Sequence, residues 1–241
     1  RLEEAHQVSV LEMGMNHAGE IRLLGNICRP DTAVITNVAP VHLQFFASLE
    51  RIAEAKAEII ETIKPGGSLV YNGDDELATG IAQRFPGRKL SFGFSKGCDI
   101  RISEFAAEDL ENTAFSLTVA PWSRTITLRL KATGKPGAMN LAAAVAAALP
   151  YGLAPEILAD AAPRLSAPDK RGKIFETRGI TVWDDSFNSN PVALAALLES
   201  VSGLRNFRRL VLVLGDMLEL GERSPEFHEE CGRRAAESGA G

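Results

Sequence analysis

Short apolar runs alternate with amphipathic stretches over the first hundred residues of this 241-residue chain, and this rhythm narrows the possible folds sharply. The runs rich in β-forming apolar residues lie at residues 8–12, 32–36, 68–71 and 90–94. Strands that alternate with helices at such intervals form βαβ units around a parallel sheet. The sequence therefore predicts an α/β fold in which helices flank a mostly parallel sheet.

The stretches between these runs carry apolar residues at helical spacing. Residues 21–27 predict one helix, and residues 76–85 predict another. A longer helix is expected to begin after Ser48, a good N-cap residue, and to end at the Pro-Gly-Gly sequence of residues 65–67. One stripe of the longer helix should face the core, and it comprises Ile52, Ala55, Ile59, Ile60 and Ile63.

The pattern changes near residue 99. Residues 99–106, 113–120 and 125–131 alternate apolar with polar side chains, which predicts a small antiparallel annex. Helical spacing returns at residues 140–151 and 155–165.

A polar segment at residues 166–172 (SAPDKRG) lacks periodicity and contains Pro and Gly, which makes it the candidate linker. We therefore expect two domains, at residues 1–166 and 167–241. The second should contain its own α/β elements. These are strands at residues 175–178, 181–185 and 209–214, a helix that opens at Asn190 and Pro191, and a closing helix at residues 226–238.

Composition excludes several classes of protein. The formal net charge of −5 and the pI of about 5.5 argue against nucleic acid as the main partner, since phosphate-backbone binding needs a basic face. The longest apolar run, residues 141–149, is too short to insert across a membrane. Three separated cysteines without a C-x-x-C pair argue against a disulfide scaffold and indicate a protein of the reducing cytoplasm.

The chain has no initiator Met and starts near a strand pattern, so we interpret it as a piece of a longer protein.

Polar residues gather where the predicted strands end. Ligands of open α/β sheets bind at the carboxyl ends of the strands, although Asn, Asp and Gly also end strands for purely local reasons. The candidates are Glu12, Asn16, His17, Asn37, His42, Asn72, Asp74, Asp75, Asp184, Asp185, Asn188, Asn190, Asp216 and Glu219.

Two of these residues could share a metal ion. Neighbouring parallel strands would bring Glu12 and His42 together, and Glu12 is the more natural ligand because Mg²⁺ prefers oxygen. The alternative is a hydrogen-bonded loop histidine. For Lys56, the alternative to a functional role is a solvated lysine paired with glutamate on a helix.

The sequence contains no G-x-x-x-x-G-K-S/T phosphate-binding motif.

Several strings together resemble the Mur ligases of peptidoglycan synthesis, and they occur in family order over nearly the whole chain. They are EMGMNHAGEI (residues 12–21), ITNVAPVHLQFFAS (35–48), IAEAKAEI (52–59), YNGDD (71–75), MNLAAAVAAAL (139–149), WDDSFNSNP (183–191) and LGDMLELGE (214–222), with His228 after the last. The resemblance implies most of a central ATPase domain followed by part of a Rossmann-like C-terminal domain.

The resemblance also implies a reaction. The string LGDMLELGE resembles a signature of one family member. That member adds D-alanyl-D-alanine to UDP-N-acetylmuramoyl-tripeptide, and the resemblance implies ATP and Mg²⁺ as cofactors and a monomeric enzyme. The substrate carboxylate becomes an acyl phosphate, which the amine of the dipeptide then attacks. Cations must offset the like charges of carboxylate and triphosphate.

Particular residues match the family's functional positions. Glu12 and His42 match metal ligands, and Lys56 matches the lysine that the family carbamylates, a reaction that needs a neutral amine. The resemblance assigns the remaining matched positions to the nucleotide: Asn140 to adenine, Asp185 to ribose, and Asn188 and Asn190 to the phosphates. Closure of two domains about residues 166–172 would assemble such a site.

Some positions depart from the family pattern. Pro136 and Gly137 stand where His and Asn are usual, Phe187 replaces a tyrosine, and Lys173 stands at an arginine position. Two alternatives therefore remain beside a peptidoglycan ligase. One is a non-catalytic, truncated or decayed homologue, and the other is a folylpolyglutamate or cyanophycin synthetase. Without a phosphate-binding loop, the 241-residue chain alone is expected to be inactive.

Overall fold

One six-stranded sheet organises the first part of the chain, in the order β1-β2-β3-β4-β5-β6. The computed structural model describes residues 3–40, 43–131, 134–202 and 208–239. The strands are β1 (Thr32–Ile35), β2 (Ser68–Asn72), β3 (Arg88–Gly93), β4 (Ile100–Ala107), β5 (Thr113–Val119) and β6 (Arg124–Leu130). Strands β1 to β4 pair in parallel, and β4, β5 and β6 pair antiparallel. The predicted α/β class is confirmed, and the antiparallel strands extend the main sheet.

Eight α-helices accompany the strands in the described part of the chain. They are α1 (Glu20–Cys28), α2 (Leu43–Phe46), α3 (Leu49–Ala57), α4 (Glu76–Arg84), α5 (Gly134–Ala148), α6 (Pro155–Ala161), α7 (Pro191–Ser202) and α8 (Ser224–Glu237). Among the described residues, none of these helices combines the length and apolar character that a bilayer-spanning segment needs.

The sheet buries apolar side chains on both faces. Successive residues of β2 point to opposite sides, so Leu69 joins the cluster with α3 and α4 while Val70 joins the cluster with α5. The α5 side contains the largest buried aromatic rings, Phe92 and Phe115, each 1% exposed. Small alanine side chains on α5 let this helix lie close to the strands.

Local signals set the helix boundaries. Ser48 caps α3 by accepting a hydrogen bond from the Arg51 amide at 3.3 Å, as its residue type predicts. The long helix expected to follow Ser48 ends as an α-helix at Ala57 and continues as a 3-10 turn over Glu58–Glu61. Helix α5 begins at Gly134, six residues before the predicted start, because Pro136 is tolerated in a first turn whose amides need no helical partner.

The second part of the chain contains a hairpin and two helices. Strands β7 (Lys173–Thr177) and β8 (Ile180–Asp184) pair antiparallel. The apolar residues of α7 and α8 pack with the segment between them, and the buried members of this cluster are Leu194, Leu198, Met217, Leu220 and Cys231. The predicted opening of α7 is confirmed, since Asn190 Oδ1 accepts the Ala193 amide at 2.9 Å.

Two strand predictions were wrong. Residues 8–12 and 209–214 pair with no described strand, and Val10 and Val213 are 93% and 92% exposed. An apolar run becomes a strand only where a neighbour satisfies its backbone, and no described segment does so here. The apolar residues of α1 do not all reach the core: Ile21 is buried, whereas Ile27 is 75% exposed.

Candidate functional site

Two adjacent aspartates tie together the loops that follow β1, β2 and β3. Asp75 Oδ2 accepts the Val38 amide at 2.6 Å, while its Oδ1 accepts the Ala78 amide at 2.9 Å and caps α4. Asp74 accepts the amides of Phe94 and Ser95 at 2.6 and 2.9 Å. Both aspartates therefore have a local structural role at a strand end, and Asp75 is also a helix cap. Their hydrogen bonds fix the positions of the loops at this edge of the sheet.

A cavity of about 460 Å³ opens at the same edge. This volume falls in the range of small-molecule sites. Its polar lining includes Asn37, Asn72 and Asp74 from the sheet and Asn140 from α5. Three of the predicted strand-end residues, Asn37, Asn72 and Asp74, thus line one cavity with Asn140.

The opposite part of the cavity wall is apolar. Phe94 and Phe105 meet edge to face, with ring centroids 5.9 Å apart, and Met139 lies beside them. Flat, hydrophobic walls with a few polar groups suit a planar heteroaromatic ligand.

Helix α7 closes the cavity from the second part of the chain. Lys135 Nζ contacts Glu199 Oε1 at 2.6 Å, and Glu199 and Ser200 line the cavity. At Gly134, whose φ is +66°, a Cβ atom would collide with the Ser200 side chain. Glycine therefore permits the close approach of α5 and α7.

Lys56 occupies the last turn of α3, where it is half-buried. Burial lowers the pKa of its ammonium group, and the nearby charge of Asp75 opposes that shift. Within the described residues, Lys56 forms no ion pair with a carboxylate. This environment differs from the solvated, glutamate-paired lysine that composition alone favours.

The two predicted metal ligands are not brought together by described contacts. Glu12 is exposed, and His42 lies outside the described residues. Within the described ranges, no group of three His, Cys, Asp or Glu side chains is arranged to hold a metal ion.

A loop at residues 14–19 follows Glu12 and is held by two carboxylates. Glu20 Oε2 accepts the amides of Asn16 and His17 at 2.7 and 3.0 Å. Glu58, which is only 7% exposed, accepts the Gly19 amide at 2.6 Å and the Arg22 amide at 3.1 Å. The sequence pattern did not identify Glu58 as a functional residue. Its one indication of burial is that Glu58 lies next to the apolar stripe of the helix predicted after Ser48.

The three candidates after β8 are placed differently from Asn140. Asp185, Asn188 and Asn190 are absent from the described lining of the cavity, and the side chain of Asn190 caps α7. Burial and the neighbouring Asp184 raise the pKa of Asp185, while Arg171 partly offsets the shift. The Arg171 guanidinium lies 4.0 Å from the Phe187 ring centroid, so this loop is packed by a cation–π contact.

His228 organises the loop that contains residues 214–222. Its Nε2 accepts the Met217 amide at 3.0 Å, and its Nδ1 is 2.8 Å from the Ser224 carbonyl, to which it donates as the Nδ1–H tautomer. His228 therefore has a structural role here.

Comparison with known proteins accounts for this architecture. The family model for the Mur ligase middle domain matches residues 1–148, and the model for the Mur ligase, glutamate ligase domain matches residues 170–240. The chain belongs to the Mur ligase family. Its curated relatives include UDP-N-acetylmuramoyl-tripeptide–D-alanyl-D-alanine ligase of Bacillus subtilis, which is 35% identical over 96% of this chain.

Solved structures agree with this assignment. A crystal structure of MurF from Acinetobacter baumannii matches 98% of the chain with a TM-score of 0.90 and 29% identity. MurF ligase from Thermotoga maritima, in complex with ADP, matches 91% with a TM-score of 0.78 and 30% identity. The chain spans 49% of the Bacillus protein and 51% and 49% of the two structures, about half of each.

Proposed function

We propose that this chain is the nucleotide-binding half of a cytoplasmic, monomeric ligase that joins D-alanyl-D-alanine to UDP-N-acetylmuramoyl-tripeptide at the expense of ATP. The observation that carries the proposal is the cavity between the sheet edge, α5 and α7, with Asn140 on its wall. The ADP complex of the Thermotoga relative supports a nucleotide as the ligand. We further propose domains at residues 1–166 and 167–241.

The adenine is assigned to the cavity. Asn140 would donate and accept hydrogen bonds at the edge of the base, since an amide offers both functions. Phe94, Phe105 and Met139 would cover its faces and exclude water. We assign Asp185 to the ribose, and Asn188 and Asn190 to the phosphates; the capping bond of Asn190 leaves its NH₂ group as the available donor.

Glu12, His42 and the carbamate of Lys56 are the proposed magnesium ligands. Carboxylate and carbamate oxygens suit Mg²⁺, and the exposed Glu12 side chain is available to one. When bound, Mg²⁺ would neutralise the charge that builds up between the phosphates and the substrate carboxylate. The lowered pKa of Lys56 favours the neutral amine that carbamylation requires.

The chemical step is acyl activation. One oxygen of the tripeptide carboxylate attacks the γ-phosphorus of ATP and ADP departs; the amine of D-alanyl-D-alanine then attacks the acyl carbon and phosphate leaves. The residues of this chain bind and orient the nucleotide for the first transfer, which positioning and electrostatics dominate. We expect the 241-residue chain alone to lack ligation, since its sequence has no phosphate-cradling loop.

Nucleotide binding can be tested on the chain itself. Titration with ATP, followed by calorimetry, should show binding that Asn140→Ala weakens about tenfold through a lost hydrogen-bond pair. Gln83→Ala, an exposed change on α4, is the matched control. Equal ATP affinity in wild type and Asn140→Ala would contradict the adenine assignment.

The substrate assignment requires the complete reading frame that contains these residues. ADP release should depend on both UDP-N-acetylmuramoyl-tripeptide and D-alanyl-D-alanine. Release with a folate and glutamate instead would favour the folylpolyglutamate alternative, and no release with any acceptor would favour a non-catalytic homologue.

A further inference from the structure

We propose that Glu58 is a positioning residue that holds the loop at residues 14–19 in register with the segment bearing Lys56. The inference rests on the proposed function, because that function makes the neighbours of this loop part of a reaction centre. The supporting observations come from three separate parts of the chain.

Helix α1 begins at a residue that cannot cap it. Gly19 is the N-cap residue, with φ +92° and no side chain to accept a hydrogen bond. In an ordinary capping box, the N-cap side chain accepts the N3 amide and the N3 side chain accepts the N-cap amide. Here both amides, those of Gly19 and Arg22, donate to Glu58, which lies 39 and 36 residues away in the sequence.

This arrangement ties two distant segments through one carboxylate. Glu58 lies two residues after Lys56, at the point where α3 tightens into a 3-10 turn. The Glu58 side chain is buried, which is costly for a carboxylate. Its two oxygens each accept a backbone amide near a helix N-terminus, and these hydrogen bonds offset the cost of burial. Any shift of the loop at residues 14–19 relative to this turn would break one or both hydrogen bonds.

The same loop also touches the segment that follows His42. The His17 ring packs against Phe45, with ring centroids 5.6 Å apart, and Phe45 is three residues after His42 in the sequence. The loop itself follows Glu12. It therefore joins the chain segments that carry Glu12, His42 and Lys56, and Glu58 is its anchor on the Lys56 side.

A second contact fixes α1 without involving the loop. Gly25 packs so closely on Thr62 that an added Cβ would collide with the threonine side chain. Thr62 ends the turn that contains Glu58, so this contact and the Glu58 hydrogen bonds belong to one junction between α1 and the turn. The matched control is Glu61→Gln, which makes the same change of side chain on the same turn, at an exposed carboxylate that binds the Arg22 guanidinium rather than the amides of Gly19 and Arg22.

The first measurement is amide hydrogen exchange on the 241-residue chain. Gln at position 58 has one acceptor oxygen and an NH₂ group, so Glu58→Gln should leave one of the two amides facing a donor. We expect exchange at Gly19 or Arg22 to accelerate about tenfold, the effect of losing one hydrogen bond, while the strands are unchanged. Unchanged exchange at both amides would overturn the anchoring role.

The second measurement uses the complete reading frame. Glu58→Gln should lower kcat about 10- to 100-fold, the range expected for a misplacement near 1 Å, with the KM for ATP changed less than about twofold. Glu61→Gln, which removes only an exposed ion pair with Arg22, should retain wild-type kcat. Equal losses of kcat in the two variants, or wild-type kcat in Glu58→Gln, would overturn the inference.

The two measurements separate this inference from the proposed function. If the wild-type protein does not ligate the expected substrates, the proposed function fails and the catalytic part of the inference fails with it. The exchange result then still decides whether Glu58 sets the position of the loop.

Discussion

Asp75→Ala tests whether one carboxylate joins the loop after β1 to the start of α4. Loss of an N-cap side chain costs about 0.5–2 kcal/mol. The Val38 amide would also lose its 2.6 Å acceptor at a residue that is 8% exposed, and an unsatisfied buried donor costs about 1–3 kcal/mol. We therefore expect the free energy of unfolding to fall by about 2–4 kcal/mol.

Urea unfolding followed by circular dichroism measures this loss from the shift in midpoint at constant slope. Ser48→Ala is the control for a cap alone, because the Ser48 side chain caps its own helix through the Arg51 amide at 3.3 Å. Its expected cost is about 0.5–1 kcal/mol. The reasoning is refuted if Asp75→Ala costs no more than Ser48→Ala.

Asp75→Asn separates charge from capping. Asparagine retains one acceptor for the Ala78 amide, so its cost in stability should lie between those of wild type and alanine. Both substitutions remove the charge that raises the pKa of Lys56, so both should lower that pKa further. An NMR titration of the Lys56 side chain that shows no decrease in either variant would contradict the electrostatic part of the argument.

Three other residues test the packing and electrostatics around the sheet. Burial and two nearby carboxylates raise the pKa of Cys98 to about 11. Because the thiolate is the nucleophile, alkylation of Cys98 in the folded chain should be slow near pH 8 and faster toward pH 11, and unfolding in urea should make it fast. Mass spectrometry measures these rates, and equal rates in folded and unfolded protein would contradict the prediction. Gly93→Ala should cost about 1–3 kcal/mol in urea unfolding, because φ is +156° and the new Cβ would lie 2.6 Å from Asp74 Oδ2, whereas Gly97→Ala, in open space, should cost less. Phe115→Ala should cost about 3–5 kcal/mol by the same assay, and a cost near zero would show that this buried ring is not part of a tightly packed core.

Local patterns were sufficient to predict most of the elements. Strands β2 and β3 and helices α4 and α8 lie within a few residues of their predicted bounds, because side-chain periodicity and capping residues act over one or two turns of chain. The resemblance to the Mur ligases likewise depended only on strings in the sequence. These strings include Asn140, which lines the cavity.

Strand pairing and the environment of charged groups were decided only by the tertiary structure. Residues 8–12 and 209–214 have strand-like composition but lack a described partner, and pairing depends on segments remote in sequence. Glu58 and Asp75 each accept an amide from 36 residues away or more, a relation that no local pattern records. Lys56 is polar by sequence, yet its pKa is set by the surfaces that bury it. Burial and hydrogen-bond partners arise from contacts between distant segments, so they follow from the fold and not from any one stretch of chain.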